Sequence, residues 1–312
     1  MFNPFKRRQA SPGLTAVGVD KDGVCLVRAL REPGARPRIV QWDLRSTGTN
    51  GTQADVLAAL ARDYDLRHAR CTTPLNDGDY QLLLTEAPDV NPDELKAALR
   101  WRVKDLINFH INDASLDVFE LPGAPASGRA REMYVVAARN PAIQARVDMM
   151  DTAGINLDII DIPELAHRNI ASLLPEDVNG VAMLALKPMS GLITLTRQGL
   201  MYLSRSLTMG YEALQGADRS TEYFDQIALE IHRSLDYFES RFREAPIRDL
   251  VVAPTPMALT PLIDHLRANL NVQVFELDLN QVLASDKPMP AALQARCLPT
   301  IGAALRHEVK AL

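Results

Sequence analysis

Residues 184–199 read LALKPMSGLITLTRQG, which is the pattern of a β-hairpin. An apolar run ends at Lys187 and Pro188, a short corner follows, and a second apolar run begins at Leu192. Gly and Pro at such corners mark turns between strands. A similar strand, turn and strand pattern, LTAVGVDKDGVCLVRAL, occupies 14–30. The sequence therefore contains two comparable hairpins that are far apart in the chain.

Similar elements follow each hairpin. A helix is predicted at 54–64 after the first hairpin, and a helix at 222–243 and a strand at 249–253 after the second. This order indicates a duplicated α/β lobe with an α/β insertion at about 77–170. We therefore predict three regions, with a boundary at the sequence PEDVNG: a flexible N-terminal tail (1–13), a first lobe (14–175) and a second lobe (176–312).

Two helices have clear apolar stripes. The helix at 222–243 repeats apolar residues three or four positions apart, which predicts a face packed on the second lobe's sheet. Asn91 and Pro92 are typical of a helix start. The helix that follows has leucine or valine at successive helical spacings from Leu95, and it is expected to bury Leu99, Val103 and Leu106 on its inner face.

Composition excludes several classes of protein. The chain has 312 residues, of which 47% are hydrophobic and 23% are charged, and its net charge is −5. These values are ordinary for a globular protein, and the acidic balance disfavours a nucleic-acid partner. No apolar run is long enough to span a bilayer, and we find no signal-peptide pattern. We expect the protein to be cytoplasmic.

No catalytic or metal site is predicted. Cys25, Cys71 and Cys297 are far apart and odd in number, so neither a zinc site nor a disulfide is expected. The histidines are scattered and have no triad context. An acidic run, Asp158, Asp161 and Glu164, flanks a strand end and a helix start, and is interpreted as exposed to solvent.

The segments 74–122 (PLNDGDYQLLLTEAPDVNPDELKAALRWRVKDLINFHINDASLDVFELP) and 231–242 (IHRSLDYFESRF) resemble a known family. They look like the MshI proteins of mannose-sensitive haemagglutinin pilus biogenesis, relatives of PilM of type IV pilus assembly and of the cytoplasmic part of GspL. The resemblance implies an α/β, actin-like fold with ribonuclease H-like duplicated lobes and an α/β insertion subdomain in the first lobe. It also implies a cleft in which PilM-like relatives hold ATP and a metal ion.

The nucleotide-binding turns of that family are altered in this chain. The first turn keeps Asp20 and Gly23 but places Asp22 where the family has glycine. In the second turn, Ala185 stands where Asp is expected, and Lys187 where Gly is expected. Phosphate binding needs free backbone N–H groups and a carboxylate that orients the cation. The remaining candidates for a degenerate nucleotide site are Asp20, Gly23, Lys187, Ser190 and Gly191.

The resemblance therefore favours a non-catalytic adaptor with no cofactor, although ATP with Mg²⁺ is not ruled out. Its implied partner is a PilN-type, MshJ-like membrane protein at the cytoplasmic face of the inner membrane. The alternative is an ATP-binding conformational switch of the same machine, with slow or no hydrolysis.

The family docks the partner's tail as an extended peptide in a groove between the first lobe and its insertion. An aromatic ring beside a guanidinium is a typical peptide anchor. We expect this groove to include Trp101, Arg102, Asn108 and Phe109. In the alternative interpretation, Trp101 and Phe109 simply seal the contact between lobe and insertion.

Overall fold

A computed structural model describes residues 13–32, 34–48, 51–123, 130–215, 220–242 and 244–307. The strands are β1 (Leu14–Asp20), β2 (Gly23–Leu30), β3 (Arg38–Ser46), β4 (Arg70–Pro74), β5 (Tyr80–Glu86), β6 (Ala114–Glu120), β7 (Glu132–Arg139), β8 (Leu157–Asp161), β9 (Val181–Leu186), β10 (Gly191–Arg197), β11 (Leu200–Leu207), β12 (Asp249–Val252), β13 (Gln273–Glu276) and β14 (Ala284–Ser285). The helices are α1 (Gln53–Asp63), α2 (Leu95–Val103), α3 (Asn140–Thr152), α4 (Pro163–Ala171), α5 (Ser220–Phe242), α6 (Thr260–Asn269), α7 (Leu279–Val282), α8 (Ala291–Arg296) and α9 (Leu298–Ala304). The predicted tail at 1–13, except for Gly13, lies outside the described residues.

The first sheet has six strands in the order β14-β3-β2-β1-β4-β8. β1 and β2 form the predicted antiparallel hairpin, and β4 pairs in parallel with β1 and with β8. Successive side chains of a strand point to opposite faces. Val17 accordingly packs in the cluster with α1 and α3, whereas Ala16 packs in the core between the two lobes. Both faces of this sheet are therefore covered.

The second sheet has the order β11-β10-β9-β12-β13. It corresponds strand by strand to the order β3-β2-β1-β4-β8 of the first sheet, with the same antiparallel and parallel pairings. The predicted duplication of the lobe is confirmed. α5 and α6 cover its outer face, and the α5 stripe is core as predicted, with four fully or nearly buried residues: Ile227, Ile231, Leu235 and Phe238.

The insertion forms a separate antiparallel sheet in the order β5-β7-β6. α2 covers one face of it through Leu99 and Val103. This sheet spans 80–139, which is shorter than the predicted insertion of about 77–170, because β8 pairs with β4 in the first sheet. The prediction that Leu106 is buried is wrong: α2 ends at Val103, and the Leu106 side chain is 55% exposed.

Two helices cross between the lobes. α4 follows the last strand of the first lobe but packs on the second sheet, whereas α9 packs on β1, β2 and β4 of the first sheet. The helices touch at Gly302, where a Cβ would collide with the carbonyl group of Ala166. The amide of Asn169 on α4 also donates to the Gly302 carbonyl at 2.9 Å. The division predicted between 175 and 176 stays a prediction, since the chain crosses between the lobes on both sides of it.

The expectation that the cysteines are unpaired is wrong for two of them. Cys25 on β2 and Cys297 before α9 form a disulfide across a Cα–Cα distance of 6.0 Å, although 272 positions separate them. Both residues are buried in the core between the lobes. Cys71 is buried and free. The pairing follows from the position of α9 on the first sheet, which spacing in the sequence does not reveal.

Candidate functional site: two hairpin turns and an interlobe groove

The turn of the first hairpin is short, and its charged side chains face solvent. Lys21 and Asp22 form a two-residue turn and are exposed, as is Asp20 at the end of β1. The Asp20 carboxylate accepts a hydrogen bond from the backbone N–H of Lys21 at 2.7 Å. Gly23 is buried, and a Cβ there would collide with the carbonyl oxygen of Arg45 on β3. The close approach of β3 is therefore enough to explain this glycine without a ligand.

The turn of the second hairpin, 187–190, is bonded to other parts of the protein. Nζ of Lys187 donates to Oδ1 of Asp77 at 2.6 Å, and the hydroxyl of Ser190 donates to Oδ2 of the same carboxylate at 3.1 Å. Asp77 lies between β4 and β5, so these bonds join the first lobe to the second hairpin. The Lys187 carbonyl accepts from the N–H of Tyr211 at 2.9 Å. The turn is thus held by contacts within the protein.

Magnesium and phosphate, which the resemblance implies, fit this second turn poorly. Ala185 offers no carboxylate and is buried. The Lys187 ammonium is already paired with Asp77, and Pro188 has no backbone N–H for a phosphate oxygen. Gly191 is buried at the start of β10. Within the described ranges, no group of three or more His, Cys, Asp or Glu side chains is placed to hold a metal ion.

The acidic run before α4 is mostly buried, which contradicts the prediction that it faces solvent. Asp158 is exposed, but Asp161 is 2% exposed and Glu164 is 5% exposed. The Asp161 carboxylate accepts from the N–H of Ile162 at 2.8 Å and lies 3.2 Å from the guanidinium of Arg306. Burial raises the pKa of Asp161, and the charge of Arg306 opposes that rise. These carboxylates are buried because α4 lies between the lobes.

Glu164 and His167 are two polar residues on the buried side of α4. The Tyr80 hydroxyl donates to Glu164 at 2.5 Å, and burial raises the pKa of Glu164. His167 has no hydrogen-bond partner on either ring nitrogen among the described residues. Burial lowers the pKa of His167 to about 3; Lys187 lowers it further, and Asp77 opposes the shift. The imidazole is therefore neutral near pH 7.

A groove of about 630 Å³ lies between the insertion and the second lobe. One wall is β5, an edge strand of the insertion sheet, and the other is β11, an edge strand of the second sheet. Residues 203–207 line it consecutively, so the groove follows the edge of β11 rather than one face of its sheet. Asp77, Glu164 and Lys187 also line it. Two strand edges therefore face one shared space.

Two contacts beside the groove hold the insertion on the second lobe. The Tyr134 hydroxyl on β7 donates to the carbonyl of Tyr202 on β11 at 3.3 Å. Arg241 on α5 forms an ion pair with Glu132 on β7. These contacts fix the separation of β5 and β11, and hence the width of the groove.

The predicted partner-binding residues on α2 lie outside this groove. The Trp101 side chain is 73% exposed, and the ammonium of Lys104 lies 5.2 Å from its ring centroid. Arg102 is exposed and pairs with Glu86 at 3.5 Å. Trp101 therefore does not seal the contact between lobe and insertion, and its role in binding a partner stays a prediction.

The other two predicted residues lie in the segment after α2 and share one neighbour. Asn108 accepts from the guanidinium of Arg139 at 3.0 Å, and the same guanidinium lies 4.6 Å from the ring centroid of Phe109. Phe109 is partly buried within the insertion's own core. Neither residue lines the groove. Their predicted contact with a partner likewise stays a prediction.

Asp77 and Tyr80 belong to the site but were not singled out from the sequence, and Glu164 was interpreted as exposed to solvent. One signal was available for Asp77: the NDGD turn at 76–79 follows a buried strand that is parallel to β1. Carboxyl ends of parallel strands meet at one edge of a sheet, so this carboxylate lies near the first hairpin's side of the cleft. Nothing local in the sequence indicated that α4 would bring Glu164 to the same place.

Comparison with known proteins supports the fold. Residues 82–215 match the family model described as type IV pilus assembly protein PilM, a stretch that is less than half of the chain. The search of curated proteins finds no match.

Among the described residues, none of the helices has the length and apolar character required to cross a membrane.

Solved structures align over almost the whole chain. A structure described as the PilM–PilN type IV pilus biogenesis complex has a TM-score of 0.72 at 19% identity, covering 94% of this chain and 98% of the other. The cytoplasmic domain of EpsL, an inner-membrane component of the type II secretion system of Vibrio cholerae, has a TM-score of 0.51 at 11% identity, covering 95% and 96%. A Bacteroides thetaiotaomicron protein described as having an actin-like ATPase fold has a TM-score of 0.49 at 10% identity, covering 90% and 96%. The fold predicted from the family resemblance is confirmed by the PilM–PilN and EpsL structures, and residues 82–215 are PilM-like.

Proposed function

We propose that this protein is a non-catalytic adaptor of a type IV pilus assembly platform. It holds the cytoplasmic tail of a PilN-type protein at the cytoplasmic face of the inner membrane. The PilM-like match at 82–215 and the likeness to a PilM–PilN complex support this proposal. The observation that carries it is the groove between the edges of β5 and β11. The finer assignment, to an MSHA-type pilus with an MshJ-like partner, rests on the sequence resemblance.

The groove suits an extended peptide because its walls are strand edges. An extended segment binds a sheet edge through backbone hydrogen bonds, while side-chain pockets provide specificity. Leu82 and Leu84 of β5 and Leu203 and Leu207 of β11 offer apolar contacts along the groove. We therefore propose that the tail binds between the insertion and the second lobe, whereas the sequence analysis expected a groove next to the first lobe.

Hydrolysis of ATP is not part of this proposal. Phosphoryl transfer depends on positioning of the phosphates and neutralisation of their charge by a metal ion. The second turn presents Ala185, a paired Lys187 and Pro188 in the place of those groups. One observation favours the alternative of an ATP-binding switch: the Asp20 carboxylate is exposed at the first turn.

Peptide binding tests the placement of the tail. The probe is the N-terminal cytoplasmic peptide of the PilN-type protein from the same organism, with affinity measured by fluorescence anisotropy. Ser206→Trp fills the groove from an exposed position on β11 and is expected to weaken binding at least tenfold, about 1.4 kcal/mol. Thr208→Trp is the control, since Thr208 is exposed just beyond β11 and does not line the groove.

The same assay decides between the groove and the exposed part of the insertion. If Trp101→Ala and Arg102→Ala each lose tenfold affinity and Ser206→Trp does not, the tail binds at α2 and our placement is wrong.

A thermal-shift titration with Mg·ATP tests the alternative function, because ligand at 100 times Kd adds about 2.7 kcal/mol of stability. We expect no shift; a shift that Asp20→Ala removes would favour the switch.

A further inference from the structure

The cationic side chains in the groove wall are already neutralised by the protein. Lys187 pairs with Asp77 at 2.6 Å, and Arg205 pairs with Glu230 at 2.8 Å. A close ion pair presents little net charge to a ligand. The wall therefore does not attract an anion, and the charge that a ligand meets depends on the remaining acid, Glu164.

Glu164 is a wall residue that forms no ion pair with a described Lys or Arg, although the charge of Lys187 acts on its carboxyl from a longer distance and Asp77 opposes it. Its side chain is almost fully buried, and its described hydrogen bond comes from the neutral phenol of Tyr80 at 2.5 Å. Among the described residues, no Lys or Arg nitrogen lies within 4.0 Å of its carboxylate. The nearby His167 is neutral and buried. A buried carboxylate is costly unless it is paired, so this one is set up to receive a cation.

Apolar side chains line much of the groove that Glu164 shares. Leu82, Leu192, Leu203 and the ring of Tyr237 contribute to it, together with uncharged serines of β11. A ligand that matches both features carries one positive charge among apolar side chains. Charge-assisted hydrogen bonds to a carboxylate are stronger than neutral ones, especially where water is excluded.

We infer that Glu164 recognises a lysine or arginine side chain in the extended segment that occupies this groove. This inference rests on the proposed function and specifies the chemistry of its partner. The ammonium or guanidinium takes the position facing the Glu164 carboxylate, while the neighbouring apolar side chains contact the leucines of β5 and β11. Tyr80 holds the carboxylate in place from the opposite side. Burial raises the pKa of Glu164 in the free protein. A bound cation opposes that rise, because an adjacent positive charge favours the carboxylate.

A random peptide library tests this without knowledge of the natural partner. Twelve-residue peptides displayed on phage are selected on the full chain, and bound sequences are compared between wild type and Glu164→Gln. Wild type is expected to enrich Lys or Arg at one position within an apolar segment, and Glu164→Gln is expected to lose that enrichment. Glu239→Gln is the matched control, because Glu239 is an exposed acid on α5 outside the groove.

One selected peptide is then used in a double-mutant cycle between its basic residue and Glu164. Replacing its basic residue with norleucine is expected to weaken binding to wild type about 30-fold or more, and to change binding to Glu164→Gln little. Equal binding of both peptides to wild type overturns the inference, and this comparison holds even if Glu164→Gln fails to fold. Selected peptides whose binding is insensitive to Ser206→Trp would instead refute the groove itself, and hence the proposed function. Groove-binding peptides without a basic preference would overturn only the role of Glu164.

Discussion

The first and second sheets share one strand order, but they use their corresponding edges differently. β3, at the outer side of the first hairpin, is covered by β14, which pairs with it in parallel. β11, its counterpart in the second sheet, pairs with β10 as its one partner among the described strands, and its other edge lines the groove. Exposed strand edges are usually covered, since they attract other strands. The duplicated architecture thus has one covered edge and one edge open to a partner.

The two hairpin turns differ in a related way. The first is a two-residue turn with exposed charges, whereas the second is a four-residue turn held by Asp77 and Tyr211. In the second lobe, the turn is therefore anchored by contacts within the protein. The comparison indicates that the first turn keeps its charged side chains in solvent, whereas the second turn is tied to the segment that leads into the insertion.

The largest expected effect on stability tests whether the apolar face of α5 is part of the core that packs on the second sheet. Phe238 is fully buried on α5, so Phe238→Ala should lower the free energy of unfolding by about 3–5 kcal/mol, because a cavity replaces the ring. Leu229→Ala on the same helix is the control, since Leu229 is 47% exposed and should change stability by less than about 0.5 kcal/mol. Urea denaturation followed by circular dichroism measures both. If Phe238→Ala keeps the stability of wild type but no longer binds the peptide, the apolar stripe of α5 is an interface and not core.

The next effect concerns the helix between the sheets. His167 has a pKa of about 3 in the folded protein, while an unfolded histidine titrates near its usual 6.5. The unfolded state therefore binds more protons below pH 6.5, and stability falls as pH decreases, by up to about 1.4 kcal/mol per pH unit. His167→Gln should remove this loss, which would amount to about 2 kcal/mol at pH 5.

Comparison of variants isolates this contribution of His167. Asp161 and Glu164 have raised pKa values and so act in the opposite direction, but they are present in wild type and in the variant alike. His68→Gln is the control, since the His68 side chain is 43% exposed. If wild type and His167→Gln lose stability equally between pH 7 and pH 5, then His167 is not held neutral by burial.

The smallest expected effect on stability tests whether Asp77 anchors the second turn, which distinguishes it from the first. Asp77→Asn removes the ion pair with Lys187, and exposed pairs contribute about 0–1 kcal/mol, so global stability should hardly change. Hydrogen exchange of residues 187–190 should nevertheless become faster, because the second turn loses its anchor. Asp286→Asn is the control, since it breaks an exposed pair with Arg38 in the first sheet. Unchanged exchange at 187–190 would mean that Asp77 does not hold the turn.

Local patterns in the sequence were enough to predict the hairpins, the duplicated lobes and the α5 stripe. Each of these depends on residues close together in the chain, such as the three- and four-residue spacing that leads to Phe238. The exposure of Leu106 was mispredicted because the apolar spacing continues past the point where α2 ends. Periodicity alone does not show where a helix stops.

The parts that could not be predicted depend on contacts between distant segments. Asp161 and Glu164 looked exposed because their polarity suggests a solvent-facing helix start, yet α4 lies between two lobes. The bond between Cys25 and Cys297 requires the end of the chain to return to the first sheet. The groove requires two edge strands from different sheets to face each other, and a strand's edge position cannot be read from its own residues.

The crossing of α4 and α9 has a consequence for how the chain is made. Domains generally fold as units during synthesis, beginning with the N-terminal one. Here the first sheet lacks the strand β14 and its α9 layer until residues 284–304 have been translated. The nascent first lobe therefore exposes the apolar face that later receives Ile301, and its final packing waits for the synthesis of α9. Long-range closure of this kind slows folding and makes the nascent chain a natural client for chaperones.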